Sequence, residues 1–153
     1  MSVEIRPAQP PDLGDILKVD AMAEVEERRY DYISRALRGE HGRDVRVLLL
    51  DDVLAGFAVM GEFFGHPFLE LVATAPEHRR IGVASALMAN IEAELENDRL
   101  FVSCNESNDV MRRLLAKRGY KVSGMVENLD PGDPELFFVI FKTMIDAQID
   151  AAP

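Results

Sequence analysis

The run HPFLELVAT, residues 66 to 74, most constrains what this chain can become. Its apolar residues fall on both parities, as in a strand buried on both faces, and such a strand belongs inside a sheet with helices packed over it. Nine residues further on, Val83, Leu87, Met88, Ile91 and Leu95 recur three and four apart, the spacing of a helix with one buried stripe. Between the two stands PEHRRIG, which reads as a direct hand-over from strand to helix without a turn. The pair predicts an α/β layer architecture rather than an all-helical or all-strand one.

The rest of the chain fits that class. VEIRPA (3 to 8) reads as a strand, and PPDLGDILKVDAMAEVE opens with helix-starting proline and aspartate and carries Leu13, Ile16, Leu17 and Met22 at helical spacing. A second helix is expected from Glu26 to Leu37. VRVLLL and LAGFAVMGEFF flank Asp51-Asp52 as a hairpin of two long strands. The helix from Val83 is expected to reach about Asn97. RLFVSCN follows as a strand, then ESNDVMRRLLAKRGY as a helix with Val110, Met111, Leu114 and Leu115 inward and Gly119 past its end. KVSGMVE and ELFFVIFKTMI are read as two last strands around the turn-forming NLDPGDP. The sum is one mixed, mostly antiparallel sheet of about six to seven strands with about four helices. It forms a single domain over 1 to 146, with a loose tail from 147 to 153.

Composition narrows the function classes. The chain has 153 residues, with 17 lysine and arginine against 27 aspartate and glutamate, a net charge of −10. That charge opposes general attraction to nucleic acid or anionic membrane and suits an amine-bearing partner. No apolar run approaches membrane-spanning length, and the N-terminus lacks a signal-peptide pattern, so a soluble, cytoplasmic protein is expected. Cys104 is the only cysteine, which rules out an internal disulfide and reads as a core thiol in its strand. His41, His66 and His78 show no paired spacing for a metal.

The strand-to-helix junction carries the chemistry. A helix start leaves N–H groups unpaired at the positive end of the helix dipole and so can receive an anion. Gly82 and Ala84 would leave the amides of residues 80 to 85 bare, and Arg79 and Arg80 would draw the anion in. The same stretch could be an ordinary helix start with surface arginines. No Gly-Lys-Ser/Thr follows, so it is not a Walker loop, and the Gly-x-Gly-x-x-Gly set of dinucleotide sites is missing.

With order of elements and motif together, the chain resembles the GNAT acetyltransferase superfamily. The family's Arg/Gln-x-x-Gly-x-Gly/Ala appears as Arg79-Arg80-Ile81-Gly82-Val83-Ala84, and its asparagine with Gly-Phe/Tyr eleven residues later appears as Asn108 and Gly119-Tyr120. The resemblance implies acetyl-CoA as cosubstrate, its pyrophosphate on the amides from Arg80 through Ile81, Gly82, Val83 and Ala84 to Ser85, with Arg79 beside them. It implies a pantetheine arm along Val72, Ala73 and Thr74, an oxyanion donor near Ala73, and a contact from Asn108, which could equally be a helix cap. It also implies transfer to a primary amine by direct attack in a ternary complex. No nucleic acid or membrane partner is expected, and a homodimer is compatible with it.

The family's acid and base are absent at their usual places. Seven residues after the asparagine stands Leu115 rather than tyrosine, and five before it stands Ser103 rather than glutamate. Glu70 and Glu62 are the remaining candidate bases, Glu70 reading equally as a solvated carboxylate, and Tyr120 is a remote candidate acid. Glu127, Asp130, Asp133 and Glu135 could attract an ammonium or form a solvated turn. A non-catalytic acyl-CoA sensor is the alternative, and a nucleotide-binding regulator a third reading.

Overall fold

The computed structural model describes residues 1 to 20 and 26 to 151. Among the described residues seven strands and five α-helices follow in the order β1 (Val3–Pro7), α1 (Leu13–Val19), α2 (Glu27–Leu37), β2 (Asp44–Leu50), β3 (Val53–Phe63), β4 (His66–Thr74), α3 (Val83–Ala93), β5 (Arg99–Asn105), α4 (Asp109–Lys117), β6 (Lys121–Val126), β7 (Glu135–Phe141) and α5 (Lys142–Ala151). Hydrogen-bonded neighbours in the sheet run β1-β2-β3-β4-β5-β7-β6. β1 with β2, β2 with β3, β5 with β7 and β6 with β7 are antiparallel, whereas β4 and β5 are parallel with Phe68 opposite Phe101. The expected mixed α/β sheet is present, and the doubly apolar run stands fourth of seven, at its centre.

The chain clusters into two compact units, Met1–Glu62 with Glu70–Ile91, and Phe63–Leu69 with Glu92–Pro153. In the first, Ile16 and Val19 of α1 and Ile33 and Ala36 of α2 close on Val45, Val47, Phe57 and Val59 of β2 and β3. Burying four such side chains from two short helices is what fixes those helices, because neither is long enough to be stable alone. The Asp51-Asp52 hairpin is confirmed, with φ of 47° and 68° at the two residues. Both angles lie in the left-handed region that two-residue hairpin turns require and that aspartate tolerates better than most residues. In the second unit, alternate residues Leu100, Val102 and Cys104 of β5 and Leu136, Phe138 and Ile140 of β7 are buried.

Several expectations are corrected. The first helix is broken: a 3-10 turn at Pro10–Asp12 precedes α1, which stops at Val19. The expected inward Met22 lies outside the described residues. Strand and helix are not joined directly either, because a 3-10 turn at Pro76–His78 follows β4 and residues 79 to 82 form a loop. α3 ends at Ala93, short of Asn97, although a turn with Leu95 N–H on the Glu92 carbonyl at 3.2 Å keeps Leu95 buried. Val110 is 73% exposed while Leu115 is fully buried. The two lie about 140° apart around a 3.6-residue helix, which leaves Val110 beyond the margin of the stripe.

The last strand also ends early. β7 stops at Phe141, and KTMIDAQIDA is helical to Ala151, so residues 147 to 151 of the stretch read as a loose tail are the second half of α5. Propensity favours a strand through VIFKTMI, but Ile145 is buried four residues after Phe141, and Gln148 Nε2 donates to the Arg118 carbonyl at 3.1 Å. Contacts at that spacing belong to a helix, and they outweigh local preference.

Candidate active site

The loop between β4 and α3 is built to present backbone N–H groups. Arg80 has φ of 67° and Gly82 of 89°, while Arg79 before them has φ of −70° and Ile81 between them a negative φ. Alternating the sign of φ turns successive N–H groups toward one concavity, which is how short loops make anion cradles. The Gly82 carbonyl accepts the first helical bond, from Ala86 N at 2.9 Å, so Gly82 caps α3. Among the described residues the amides of Arg80, Ile81, Gly82, Val83 and Ala84 have no acceptor. A Cβ added to Gly82 would meet open space but in a backbone conformation that side chains rarely adopt. Arg79 and Arg80 are exposed and make no ion pair among the described residues. Bare amides, a helix N-terminus and two unpaired guanidiniums are a donor set that fits a diphosphate.

The ground under this loop is equally specific. Gly56 of β3 lies beneath the first turn of α3, where a Cβ would fall 2.5 Å from Val83 Cγ1 and 2.8 Å from the Ala73 oxygen. Any side chain there would lift the helix start off the sheet. Val72, Ala73 and Thr74 end β4 half-buried, and the strand's edge bonding continues with Ala75 N donating to the Ala55 oxygen at 2.8 Å. Ser85 lies in the first turn of α3.

Of the candidate carboxylates, Glu62 is exposed at the end of β3 with no partner among the described residues. Glu70 is drawn into a cluster: Tyr32 Oη of α2 donates to its Oε1 at 3.0 Å, and Arg43 Nε donates to Oε1 and Oε2 at 3.1 Å each. Arg43 also lies 5.3 Å over the Tyr32 ring. The carboxylate rests on Gly61, where a Cβ would occupy the position of Oε2. Burial, with the neighbouring Glu70 charge next, pushes the Tyr32 phenol well above its ordinary value, so it stays a proton donor. Nothing in the sequence announces this cluster, because a hydrogen bond across 38 residues and a missing Cβ carry no spacing signal.

The second unit holds Asn108 and Tyr120. Asn108 caps α4, its side-chain oxygen accepting from Met111 N at 3.1 Å. Tyr120 is buried and donates to Glu92 Oε2 at 2.7 Å, while Arg118 donates from Nη2 to Oε1 at 2.5 Å and from Nε to Oε2 at 3.1 Å. Burial and the Glu92 charge push the Tyr120 phenol far up. Its proton is committed inside the core, which argues against Tyr120 as an acid. Glu92 was missed, yet it lies four residues after buried Met88 and three before buried Leu95, a spacing that places it on the inward face. In the acidic loop, Asp130 accepts from Asn105 Nδ2 at 2.8 Å and Asp133 from Ser107 Oγ at 2.6 Å, so two of its four carboxylates already serve internal bonds. Cys104 is buried, its thiol pushed up to about 11 by desolvation first and by Glu135 next.

The model of the acetyltransferase (GNAT) family matches residues 11 to 120. The chain belongs to that family. A GNAT-family acetyltransferase from Bacillus cereus is 32% identical, covering 93% of this chain and 99% of its own, with a TM-score of 0.82. Two more distant structures share the GNAT fold. The ribosomal-protein-S18-alanine N-acetyltransferase of Escherichia coli is 18% identical over 92% of this chain and 94% of its own, with a TM-score of 0.74. The PaiA N-acetyltransferase of Thermoplasma acidophilum, solved with coenzyme A, is 18% identical over 90% and 98%, with a TM-score of 0.71. No curated protein matches the sequence significantly. The end of β4 from Glu70, the glycine loop and α3 as far as Ile91 belong to one compact unit. No described helix is long and apolar enough to cross a membrane.

Proposed function

We propose that this GNAT protein transfers the acetyl group of acetyl-CoA to a primary amine by direct attack in a ternary complex. The observation that carries the reading is the run of unbonded amides from Arg80 to Ala84 around left-handed Arg80 and Gly82, in the family's pyrophosphate motif. Acetyl-CoA supplies an activated acyl carbon: the amine's C–N bond forms as the thioester C–S bond breaks, and the coenzyme leaves as thiol with the proton the amine loses.

The chain's own residues divide the remaining work. The amides from Arg80 through Ser85 hold the diphosphate, Arg79 and Arg80 attract it, and Val72, Ala73 and Thr74 line the pantetheine arm. Asn108 contributes from the α4 cap. Glu70 is the carboxylate that meets the acceptor nitrogen and takes up its proton, directly or through water, with Glu62 the nearest substitute on the same unit. The acetyltransferase domain runs past residue 146 through the end of α5 at Ala151, and a reducing, cytoplasmic setting suits the lone buried thiol of Cys104.

Thiol release from acetyl-CoA across a panel of amines and peptides tests the reading, which predicts release above the buffer rate with at least one acceptor. Coenzyme binding by calorimetry without modification of any acceptor would instead make the protein an acyl-CoA sensor. Replacing Gly82 by valine should weaken coenzyme binding at least tenfold, since φ of 89° is hostile to a β-branched residue; unchanged affinity would remove the cradle from this loop.

A further inference from the structure

The Tyr32–Glu70–Arg43 cluster is neutral as a unit, with one carboxylate, one guanidinium and one phenol that donates its proton to the carboxylate. Arg43 is held on two sides, by both Glu70 oxygens and by the Tyr32 ring. The carboxylate lies where the missing side chain of Gly61 leaves room, a Cβ there falling 1.6 Å from Oε2. Glu70 and Arg43 nevertheless keep 20% and 24% of their side chains open to solvent. A carboxylate oxygen accepts two hydrogen bonds. Oε1 already takes two and Oε2 one, which leaves a single acceptor position on Oε2.

We propose that Arg43 is a specificity-determining residue, which by neutralising Glu70 selects acceptor amines that enter the site uncharged. The inference rests on the reading of Glu70 as the group that meets the acceptor. A bare carboxylate would reward an ammonium with its full attraction, but a guanidinium at hydrogen-bond distance on the same oxygens largely cancels it. What remains is one acceptor position for one N–H of a neutral amine. At pH 7 a lysine-like amine of pKa about 10.4 is neutral in about one molecule in 2,500, and an α-amine of pKa about 7.7–8.0 in about one in ten. The cluster therefore favours an α-amine or aryl amine by about 250-fold in kcat/KM, and the preference narrows as pH rises toward 10.

The test uses the full chain with acetyl-CoA and two peptides of one sequence, one with a free α-amine, the other blocked there and carrying a single lysine. Wild type should prefer the α-amine by about 250-fold at pH 7, Arg43→Gln should narrow that ratio about tenfold, and Arg43→Lys should keep most of it. Calorimetry with coenzyme A shows that each variant is folded; should Arg43→Gln fail there, the wild-type ratio and Arg43→Lys decide. Equal or better use of the lysine peptide by wild type overturns the inference, as does an unchanged ratio in an Arg43→Gln variant that binds coenzyme. Coenzyme binding with transfer to neither peptide sinks the transferase reading itself, and this one with it.

Discussion

The molecule contains the same three side chains twice, and the two copies behave differently. In the first unit Tyr32 and Arg43 hold Glu70; in the second Tyr120 and Arg118 hold Glu92. In both, the phenol and the guanidinium donate to one carboxylate, and the Arg Nε contact is 3.1 Å. The difference is burial: the Glu92 and Arg118 side chains are 4% and 18% exposed, against 20% and 24% for Glu70 and Arg43. A sealed cluster holds helices together, whereas one open to solvent keeps a position through which it can meet another molecule. Identical chemistry thus becomes structural in one unit and available in the other.

The sharpest way to break this comparison is to remove the buried carboxylate. Glu92→Ala takes from Arg118 and Tyr120 the buried carboxylate they share and should cost about 3–5 kcal/mol of stability, or a fall in Tm of roughly 6–20 °C for a chain of this size. A Tm change under two degrees would mean that the second cluster is as open as the first. The mirror experiment, Glu70→Gln, should lower kcat/KM about a hundredfold with a much smaller change in Tm. If Tm falls as far as in Glu92→Ala, Glu70 is a strut and the contrast disappears.

Tyr120→Phe comes next in size. It removes one hydrogen bond to a charged acceptor and should cost about 1.5–3 kcal/mol of stability, with the transfer rate per folded molecule retained. A large drop in kcat at unchanged Tm would restore Tyr120 as an acid and refute its assignment to the core. The smallest effect concerns the thiol in the same unit. With Cys104 buried and its thiol pushed up to about 11, the neutral form persists far into the alkaline range, and only the ionised thiolate reacts. Alkylation of the native protein should be negligible at pH 8 and rise only as pH approaches 11; fast labelling at pH 8 would show that the second unit opens readily.

The sheet, most of its strands and the place of the glycine motif were legible because each rests on local pattern, whereas the turn and loop that part strand from helix there were not. Period-two alternation in RLFVSCN, the doubly apolar HPFLELVAT, and a glycine between arginine and a helix stripe are all readable within ten residues. The errors fell where local preference met a tertiary contact. KTMIDAQIDA reads as strand and tail, because nothing in it announces that Ile145 is buried or that Gln148 finds the Arg118 carbonyl. Glu92 was half legible, since its spacing from Met88 and Leu95 points inward, but its partners Arg118 and Tyr120 stand 26 and 28 residues away.

By itself, then, the sequence determined the layer architecture, the place of the glycine loop and the family, since these follow from periodicity and from short motifs whose parts are neighbours in the chain. Only the tertiary structure decided what each ionisable side chain does. Glu70 and Glu92 are both glutamates next to apolar residues, and their roles diverge through partners brought from 27 and 26 residues away, and through the solvent that burial admits to one and denies to the other. Charge interactions depend on distance and surroundings in space, and neither is written in the order of residues along the chain.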